Sequence, residues 1–292
     1  MAYTGRFAPS PTGSLHLGSL LAALASFLDA RSNSGRWLVR IDDIDPPREV
    51  AGAAAQILRQ LETHGLHWDG AVIYQSARLD RYHAALVQLA KNGHTYPCQC
   101  SRAELLERGP KYDGHCLRYP PSQDAKVAIR VKADQPLYWL DLVQNTFENH
   151  IELSLSDFVV LRKDGLVSYQ LAAAIDDCSD QISHVVRGAD LLESTPRQLL
   201  LMRLLERKPP QYAHLPILTD NAGEKLSKQL SSTPIDAAHA SRNIAVCLES
   251  LGQKPPAELG KESVFESLKW ATKNWDLNNV PRRFSLPYST GK

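Results

Sequence analysis

The chain has 292 residues, of which 43% are hydrophobic, so it is long enough for one large or two modest domains with a sizeable core. Its net charge is only +1, so any polyanion must bind at a local basic patch. The apolar run at residues 17–28 is too short to span a bilayer, and no secretory signal is visible. We therefore expect a soluble cytoplasmic protein that does not bind a membrane.

The N-terminal stretch at residues 6–19 predicts a short strand, a loop rich in Pro, Gly and Ser, and the start of an apolar helix over residues 20–28. Such a turn directs backbone N–H groups and the positive end of the helix dipole at one point, which favours a phosphate. Gly13 and Gly18 would let a ligand approach the backbone, and His16 adds a hydrogen-bond donor. From these residues alone, an ordinary tight connection with an incidental histidine remains an alternative.

Acidic residues follow the next apolar run, residues 37–41, which predicts a buried parallel strand. Ligands of open α/β sheets gather beyond the carboxyl ends of the strands, so Asp42 and Asp43 are candidate site residues. Asp45 before Pro46 is also typical of a helix N-cap, but that alternative gives Asp42 and Asp43 no role.

The rest of the chain alternates strands with helices and predicts an α/β fold. Residues 94–157 interrupt this alternation and read as an insertion. Residues 163–165 are a hairpin signal between two short strands. The predicted helices cover residues 50–64, 76–92, 170–178, 195–207, 241–252 and 263–275, and the predicted strands cover 126–132, 137–146, 158–162, 166–169 and 182–187.

The insertion holds three of the five cysteines, which suggests a metal site rather than a disulfide framework. Cys98, Cys100 and Cys116 supply one ligand fewer than a tetrahedral structural zinc site needs. The fourth ligand could be His115, Tyr112 or a residue elsewhere. Because C-x-C is tighter than the usual C-x2-C spacing, free cysteines remain an alternative.

A polar loop at residues 220–229 carries Lys225 and Lys228, and by itself it would read as a solvated charged loop. Together with His16 it forms a specific pair, and the sequence resembles a class I aminoacyl-tRNA synthetase, with HLGS in place of HIGH and KLSKQ in place of KMSKS. Within that class it is similar to the glutamyl branch through RFAPSPTG, RIDDID, RGADLL and HLP. The resemblance covers about residues 5–230.

The resemblance implies a Rossmann-type (HUP-like) parallel sheet, an inserted zinc-binding subdomain and a short helical C-terminal region. The implied units are residues 1–93 and 158–235 for the two halves of the catalytic domain, 94–157 for the insertion, and 236–292 for the C-terminal region. The implied reaction activates a carboxylic acid with ATP, with Mg²⁺ as a partner, and needs no covalent enzyme intermediate.

The resemblance also implies the roles of single residues around ATP and the metal. The residues carried over for ATP binding are His16, Gly18, Ser19 and Lys228. The implied catalytic residues are His16, Lys225 and Lys228. Of these, Lys228 would neutralise phosphate charge in the transition state, and Lys225 would assist it. Residues 112–116, YDGHC, resemble the zinc site of the short glutamyl-type synthetases, which favours Tyr112 over His115 as the fourth zinc ligand.

The glutamate pocket is carried over in the same way. Arg6 and Arg187 would bind the side-chain carboxylate, since arginine can bind a carboxylate through two donors. Tyr169 would form a hydrogen-bonding wall, and Ser10 and Asp42 would receive the ammonium group. The family usually has glutamate at position 42. The shorter aspartate keeps the charge but puts a direct ammonium contact in question.

The segment after the KLSKQ loop is too short for the anticodon-reading domain that a glutamyl-tRNA synthetase normally carries. In this respect the chain is similar to the glutamyl-Q tRNA(Asp) synthetases, which activate glutamate without tRNA and transfer it to queuosine in the tRNA(Asp) anticodon. We therefore expect glutamate, ATP and queuosine-bearing tRNA(Asp) as partners of a monomeric enzyme. The alternatives are a truncated glutamyl-tRNA synthetase, a non-catalytic tRNA-binding relative and an enzyme that activates another acid such as aspartate.

Overall fold

A parallel sheet and a separate antiparallel sheet organise the chain in the computed structural model, which describes residues 2–109, 111–133, 137–144, 156–179, 181–220 and 235–288. The strands are β1 (Thr4–Phe7), β2 (Arg36–Ile41), β3 (Ile73–Tyr74), β4 (Thr95–Cys98), β5 (Ala128–Val131), β6 (Phe158–Leu161), β7 (His184–Gly188), β8 (Gln211–Leu215), β9 (Ile217–Thr219) and β10 (Ser285–Pro287). The helices are α1 (Leu17–Ser32), α2 (Ala53–Thr63), α3 (Leu79–Lys91), α4 (Arg102–Glu107), α5 (His115–Arg118), α6 (Tyr169–Ser179), α7 (Thr195–Leu204), α8 (Ala240–Ser250) and α9 (Val264–Asn274).

The parallel strands form the hydrogen-bonded sheets β3-β2-β1 and β7-β8, which lie side by side, and β9 pairs separately with β10. Parallel pairing joins β1 to β2, β2 to β3 and β7 to β8. The Ser183 N–H donates to the Thr4 carbonyl over 2.9 Å and places β7 beside β1. The chain therefore leaves β1 toward β2 on one side and returns to β7 on the other. Ligands of open α/β sheets bind at such a reversal, outside the carboxyl ends of the strands.

The helix α1 packs into the main core, as its apolar sequence predicts. Leu20, Leu24 and Leu28 are completely buried in this core, and Trp37 of β2 donates from its indole to the Ser26 hydroxyl over 2.9 Å. A helix with so many buried positions is fixed against the sheet by hydrophobic burial. The start of α1 is thus a rigid part of the fold.

A second core supports the antiparallel sheet, whose order is β4-β5-β6. This core also contains residues of α3, α6 and α7, including Tyr82, Leu171 and Leu201. The strand β6 begins at Phe158, directly after the predicted insertion, and pairs with β5 inside it. The domain boundaries given above stay a prediction.

The predicted parallel sheet flanked by helices is confirmed, but several local predictions differ from the structure. A strand, β3, lies between the predicted helices at residues 50–64 and 76–92, where no strand was predicted. The expected strand over 137–146 is reduced, in the part up to residue 144, to isolated bridge positions at Leu137 and at Asp141, which pairs with Tyr212. The Asp141 carboxylate accepts from the Val143 and Gln144 N–H groups, and this local turn competes with strand pairing.

The hairpin predicted around residues 163–165 is only partly formed. A single bridge joins Leu161 to Val167, and the chain then enters α6 at Tyr169. The Arg162 N–H donates to the Leu166 carbonyl over 2.9 Å and the Ser168 N–H donates to the Val160 carbonyl over 3.0 Å, so of the expected second strand, residues 166–169, only Tyr169 belongs to the helix instead. No helix in the described ranges is long and apolar enough to cross a membrane.

A buried ion network ties the ends of β1 and β2 to α6. Asp177 accepts two hydrogen bonds from Arg6, both 3.1 Å long, and one from Arg40 at 2.7 Å. Arg40 also binds both carboxylate oxygens of Asp42, at 2.6 and 3.3 Å. All four side chains are at most 6% exposed. Because buried charges are costly unless they are paired, each member depends on the others.

The neighbouring Asp176 extends this network toward α3. Its carboxylate, which is fully buried, accepts from Gln75 at 2.8 Å, from the Tyr82 hydroxyl at 2.7 Å and from Arg78 at 3.0 Å. Consecutive acidic residues of one helix therefore hold two different parts of the structure. The pair Asp176–Asp177 connects the sheet with the second core.

We predict that Asp177→Asn destabilises the protein by about 3–5 kcal/mol near neutral pH, because it leaves two buried guanidinium groups without their shared carboxylate. Burial opposes ionisation of Asp177, but Arg6 and Arg40 outweigh burial and hold the pKa of its carboxyl well below the usual range. This contribution is complete above the unfolded pKa of about 3.9 and declines as the pH falls toward the folded pKa. Urea denaturation of wild type and Asp177→Asn at pH 6 and pH 3 measures the contribution of Asp177 to the free energy of unfolding.

The difference in unfolding free energy between wild type and Asp177→Asn should shrink by about 1 kcal/mol between those pH values. The matched control is Asp164→Asn, which removes an exposed carboxylate paired with Arg162 and should change stability by less than about 1 kcal/mol. An equal loss of stability with falling pH in wild type and Asp177→Asn would contradict this account of the network.

Candidate active site and candidate metal centre

The loop between β1 and α1 ends in a reciprocal cap. The Ser19 N–H donates to His16 Nδ1 over 3.3 Å, and the His16 N–H donates to the Ser19 hydroxyl over 3.4 Å. A Cβ at Gly18 would lie 3.2 Å from the His16 ring, so a small residue suits this close approach. The cap places three of the sequence-predicted ATP residues together at the N-terminus of a sixteen-residue helix. That is a favourable position for an anion.

The same loop lies against the acidic end of β2. The Asp42 N–H donates to the Pro9 carbonyl over 3.0 Å, and the Val50 N–H donates to the Pro11 carbonyl over 2.9 Å. Ser10 is exposed between these contacts. The structure therefore brings the predicted ammonium-binding residues, Ser10 and Asp42, to one edge of the sheet.

Asp42 is already engaged by Arg40, a residue that the sequence analysis did not single out. Burial raises the pKa of the Asp42 carboxyl, and the contact with Arg40 opposes that rise. Arg40 was visible in the sequence as a charged residue inside an apolar strand, two positions before an aspartate. In a strand such residues lie on the same face, so this pair could have been predicted.

Arg187 lies at the carboxyl end of β7, 5% exposed, and its hydrogen-bond partners in the described ranges are all neutral. Its Nε donates to His214 Nε2 over 3.1 Å, and its Nη2 donates to the Thr195 hydroxyl over 2.7 Å and to Gln198 Oε1 over 2.9 Å. Its Nη1 is buried with no hydrogen-bond partner there. A buried cationic donor of this kind is suited to an anionic ligand.

Arg6 on β1 and Arg187 on β7 both lie close enough to Tyr212 and His214 to affect the pKa values of those side chains. The Arg187 guanidinium lies 5.2 Å from the centre of the Tyr212 ring, and the Tyr212 hydroxyl is also buried without a partner in the described ranges. Burial raises the pKa of Tyr212, and the positive charges of Arg187 and Arg6 both oppose that rise. The same two arginines lower the pKa of His214, after the larger effect of burial. Both predicted carboxylate ligands therefore act on one region.

Tyr169 begins α6 beside this region. Its neighbour Gln170 accepts a hydrogen bond from Gln198 at 3.2 Å, and Gln198 in turn accepts from Arg187. The sequence analysis missed Gln198 and Thr195, which lie on the apolar helix α7 and carry no motif. Lys225 and Lys228, the predicted catalytic lysines, lie outside the described residues.

The cysteine cluster of the insertion is formed. The ligand atoms of Cys98, Cys100 and Cys116 lie within 4.8 Å of one another, and all three residues are buried. The Tyr112 hydroxyl lies 3.5 Å from Cys98 Sγ and 3.6 Å from Cys100 Sγ, and it accepts from the Cys116 N–H at 2.9 Å. Three thiols and one oxygen at these separations fit a four-coordinate metal such as zinc.

The thiols of this cluster differ in acidity, because burial raises the pKa of Cys100 whereas the pKa of Cys98 is lowered. Burial opposes deprotonation of Cys98, but Tyr112 and Arg130 outweigh burial and lower the pKa of its thiol to about 7. The Arg130 guanidinium lies 4.1 Å from the centre of the Tyr112 ring. His115, the other predicted ligand, contacts the Tyr119 ring with centroids 5.0 Å apart and does not join the grouped ligand atoms. A thiolate is the form that binds metal.

Comparison with known proteins places this architecture in a family. The sequence profile described as "tRNA synthetases class I (E and Q), catalytic domain" matches residues 3–243. Curated relatives called glutamyl-Q tRNA(Asp) synthetase are 46% identical over 287 residues. The relative from Pseudomonas paraeruginosa (strain DSM 24068 / PA7) is matched over 98% of both chains. The relative from Vibrio vulnificus (strain CMCP6) is matched over 98% of this chain and 94% of its own.

Solved structures agree with this result. A glutamate tRNA ligase from Elizabethkingia meningosepticum CCUG26117, in complex with its amino acid, has a TM-score of 0.79 and 26% identity over 97% of this chain. The glutamate-tRNA synthetase from Elizabethkingia anophelis has a TM-score of 0.80 and 26% identity over 99% of this chain. The present chain covers 66% and 68% of the lengths of those two proteins. The chain therefore belongs to the class I aminoacyl-tRNA synthetases, with glutamyl-Q tRNA(Asp) synthetases among its relatives, and is an ATP-dependent ligase.

Proposed function

We propose that the protein activates glutamate with ATP in the absence of tRNA and transfers it to the queuosine base in the anticodon of tRNA(Asp). The observation that carries the glutamate part is Arg187, a buried cation with neutral partners and an unpaired donor. The acceptor part is supported by the relatives called glutamyl-Q tRNA(Asp) synthetase, which this chain matches over almost its whole length and theirs.

In this proposal Arg187 and Arg6 bind the side-chain carboxylate of glutamate. Arg6 already shares Asp177 with Arg40, so its positive charge is largely compensated. The charge of Arg187 has no carboxylate in direct contact in the described ranges and is therefore the stronger attraction for an anion. Tyr169, at the start of α6, provides a hydrogen-bonding wall of the pocket.

The ammonium group of the substrate binds near Ser10 and Asp42. Because Arg40 binds both oxygens of Asp42, the ammonium shares a carboxylate that is already ion-paired. Aspartate is also one methylene shorter than the glutamate usual at this position. A water molecule between the carboxylate and the ammonium suits this shorter reach.

ATP binds where His16, Gly18 and Ser19 cap α1, and Mg²⁺ would supply further positive charge to its phosphates. The α-carboxylate oxygen of glutamate forms a bond to the α-phosphorus, the bond to the pyrophosphate oxygen breaks, and glutamyl-adenylate and pyrophosphate result. Backbone N–H groups, His16, Lys225 and Lys228 stabilise the negative charge that moves onto the phosphates. A queuosine hydroxyl then attacks the activated carbonyl, and AMP leaves.

We further propose that one structural zinc ion is held by Cys98, Cys100, Cys116 and Tyr112 in the insertion at residues 94–157. The grouped thiols and the adjacent Tyr112 hydroxyl support this ligand set. The protein would act as a monomer in the cytoplasm. Its substrates there would be ATP, glutamate and tRNA.

We predict that radiolabelled glutamate is transferred to tRNA(Asp) that carries queuosine and not to queuosine-free tRNA(Asp). Removal of the 3′-terminal adenosine should leave this transfer intact, because the proposed acceptor lies in the anticodon. Wild-type protein should also catalyse glutamate-dependent pyrophosphate exchange with no RNA present. Acid-precipitable counts and pyrophosphate exchange are the measurements.

The main alternative to the proposed acceptor is the 3′ end of a tRNA, because the chain also resembles glutamate tRNA ligases. Charging of tRNA(Glu) that is lost with its 3′ adenosine would indicate a synthetase that acts on the 3′ end. Transfer to tRNA(Asp) independent of queuosine would overturn the proposed acceptor. Exchange supported by aspartate and not by glutamate would overturn the proposed amino acid.

We predict that the purified protein contains close to one zinc ion per chain and that Cys116→Ser loses most of it, because a thiolate is removed from a four-ligand site. Tyr112→Phe should bind zinc more weakly than wild type. The matched control is Cys178→Ser, a half-buried cysteine outside the cluster, which should retain zinc. Elemental analysis after dialysis measures the zinc content, and full zinc occupancy in Cys116→Ser would contradict the ligand set.

A further inference from the structure

His214 and Asp141 form a buried pair behind Arg187. His214 is fully buried and Asp141 is 1% exposed, and His214 Nδ1 lies 2.5 Å from Asp141 Oδ2. The two residues come from separate segments, β8 and the turn at residues 141–144. A buried carboxylate and a buried imidazole are costly to remove from water, so their pairing calls for a physical explanation.

The contacts of Asp141 keep it ionised and immobile. Its Oδ1 accepts from the backbone N–H groups of Val143 at 3.0 Å, Gln144 at 2.8 Å and His214 at 3.1 Å. Burial opposes ionisation of Asp141, but the bonds to His214 and to the backbone outweigh burial and hold the pKa of its carboxyl below the usual range. Asp141 therefore acts only as an acceptor toward the imidazole.

An acceptor at Nδ1 determines the tautomer of His214. The proton of the neutral ring must lie on Nδ1, which leaves a lone pair on Nε2. Burial lowers the pKa of His214, and the charge of Arg187 lowers it further, although Asp141 opposes both effects. The lone pair on Nε2 accepts from Arg187 Nε over 3.1 Å, and the Thr195 hydroxyl, which also accepts from Arg187 Nη2, lies 3.0 Å from the same Nε2. If the proton lay on Nε2 instead, the Nε2–H group of His214 and the Nε–H group of Arg187 would face each other.

The remaining contacts fix the guanidinium plane. Arg187 Nη2 is held by Thr195 and Gln198, so the contacts at Nε and Nη2 leave Nη1 as the nitrogen without a partner in the described ranges. A planar guanidinium held at two of its nitrogens can turn only if those hydrogen bonds break. The direction of Nη1 thus depends on the acceptor at His214.

We propose that Asp141 and His214 are positioning residues that orient Arg187 for the side-chain carboxylate of the amino acid. This inference rests on the proposed function, because it takes Arg187 as a glutamate ligand. Neither residue touches the substrate in this account: Asp141 selects the His214 tautomer, and His214 holds Arg187. A purely structural role would instead affect all substrates and the stability together.

The decisive variant is Asp141→Asn, measured by tRNA-independent pyrophosphate exchange. The asparagine oxygen can keep the three backbone contacts, which places its NH₂ group toward His214 Nδ1 and favours the ring tautomer with a proton on Nε2. We expect the KM for glutamate to rise about 10- to 100-fold, the range for loss of a hydrogen bond to a charged group, while the KM for ATP changes less than threefold. Inhibition by glutamine, which lacks the carboxylate, should change little. Equal changes in both KM values would overturn the inference.

His214→Gln and His214→Leu supply an independent comparison. Glutamine offers an acceptor to Arg187 Nε and should retain more glutamate affinity than leucine, which offers none. The matched control is His64→Gln, a buried histidine bonded to Gln60 and near Asn243, which should lower stability and leave the KM for glutamate unchanged. Equal glutamate KM values in His214→Gln and His214→Leu would overturn the inference.

A measurement on the unaltered protein covers the case in which these variants do not fold. In protein labelled with ¹⁵N-histidine, the His214 ring should carry its proton on Nδ1, and this ring is identified by its proton–proton contacts with the Trp139 ring, whose centroid lies 5.6 Å away. A proton on Nε2 of that ring would overturn the inference. Absence of glutamate-dependent exchange in wild type would instead overturn the proposed function itself, so the two failures are distinguishable.

Discussion

The ion network around Asp177 is the constraint on which the site depends. One buried carboxylate receives Arg6 from β1 and Arg40 from β2, and Arg40 in turn receives Asp42. Because none of these charges is stable in a dry interior without its partners, the strand ends and α6 must meet in one geometry. The pocket is therefore built by the same interactions that connect the sheet to the second core.

The two arginines on either side of the chain reversal are held in different ways. Arg6 is paired with a carboxylate, so its charge is largely compensated before any ligand arrives. Arg187 is held by an imidazole, a hydroxyl and an amide, and it keeps its charge and one unpaired nitrogen. Neutral acceptors thus fix its position without reducing its attraction for an anion. This division suits a site that must stay folded when empty and still bind an acidic amino acid.

Much of the site could be predicted because its members belong to short motifs. The fold class and the cysteine cluster follow from local patterns and spacing. The positions of Arg6 and Arg187 at strand ends also follow from local sequence. Prediction was least accurate for short elements such as β3, where only two residues pair and no periodicity can develop. It also failed at residues 137–144, where the Asp141 side chain bonds its own turn and displaces the expected strand.

The sequence by itself determined the family, the types of residue at the turn between β1 and α1, and the two arginines and one acid placed at the ends of strands. These are local features, since neighbouring residues set the turn, the helix start and the strand. Only the tertiary structure decided which buried charged side chains are paired with a side chain of opposite charge. Asp177 reaches Arg40 across 137 positions and Asp141 reaches His214 across 73, and no local pattern encodes such pairings. These pairings arise because packing leaves each buried charge few possible partners, and the charged group pairs with the partner that can form hydrogen bonds with it.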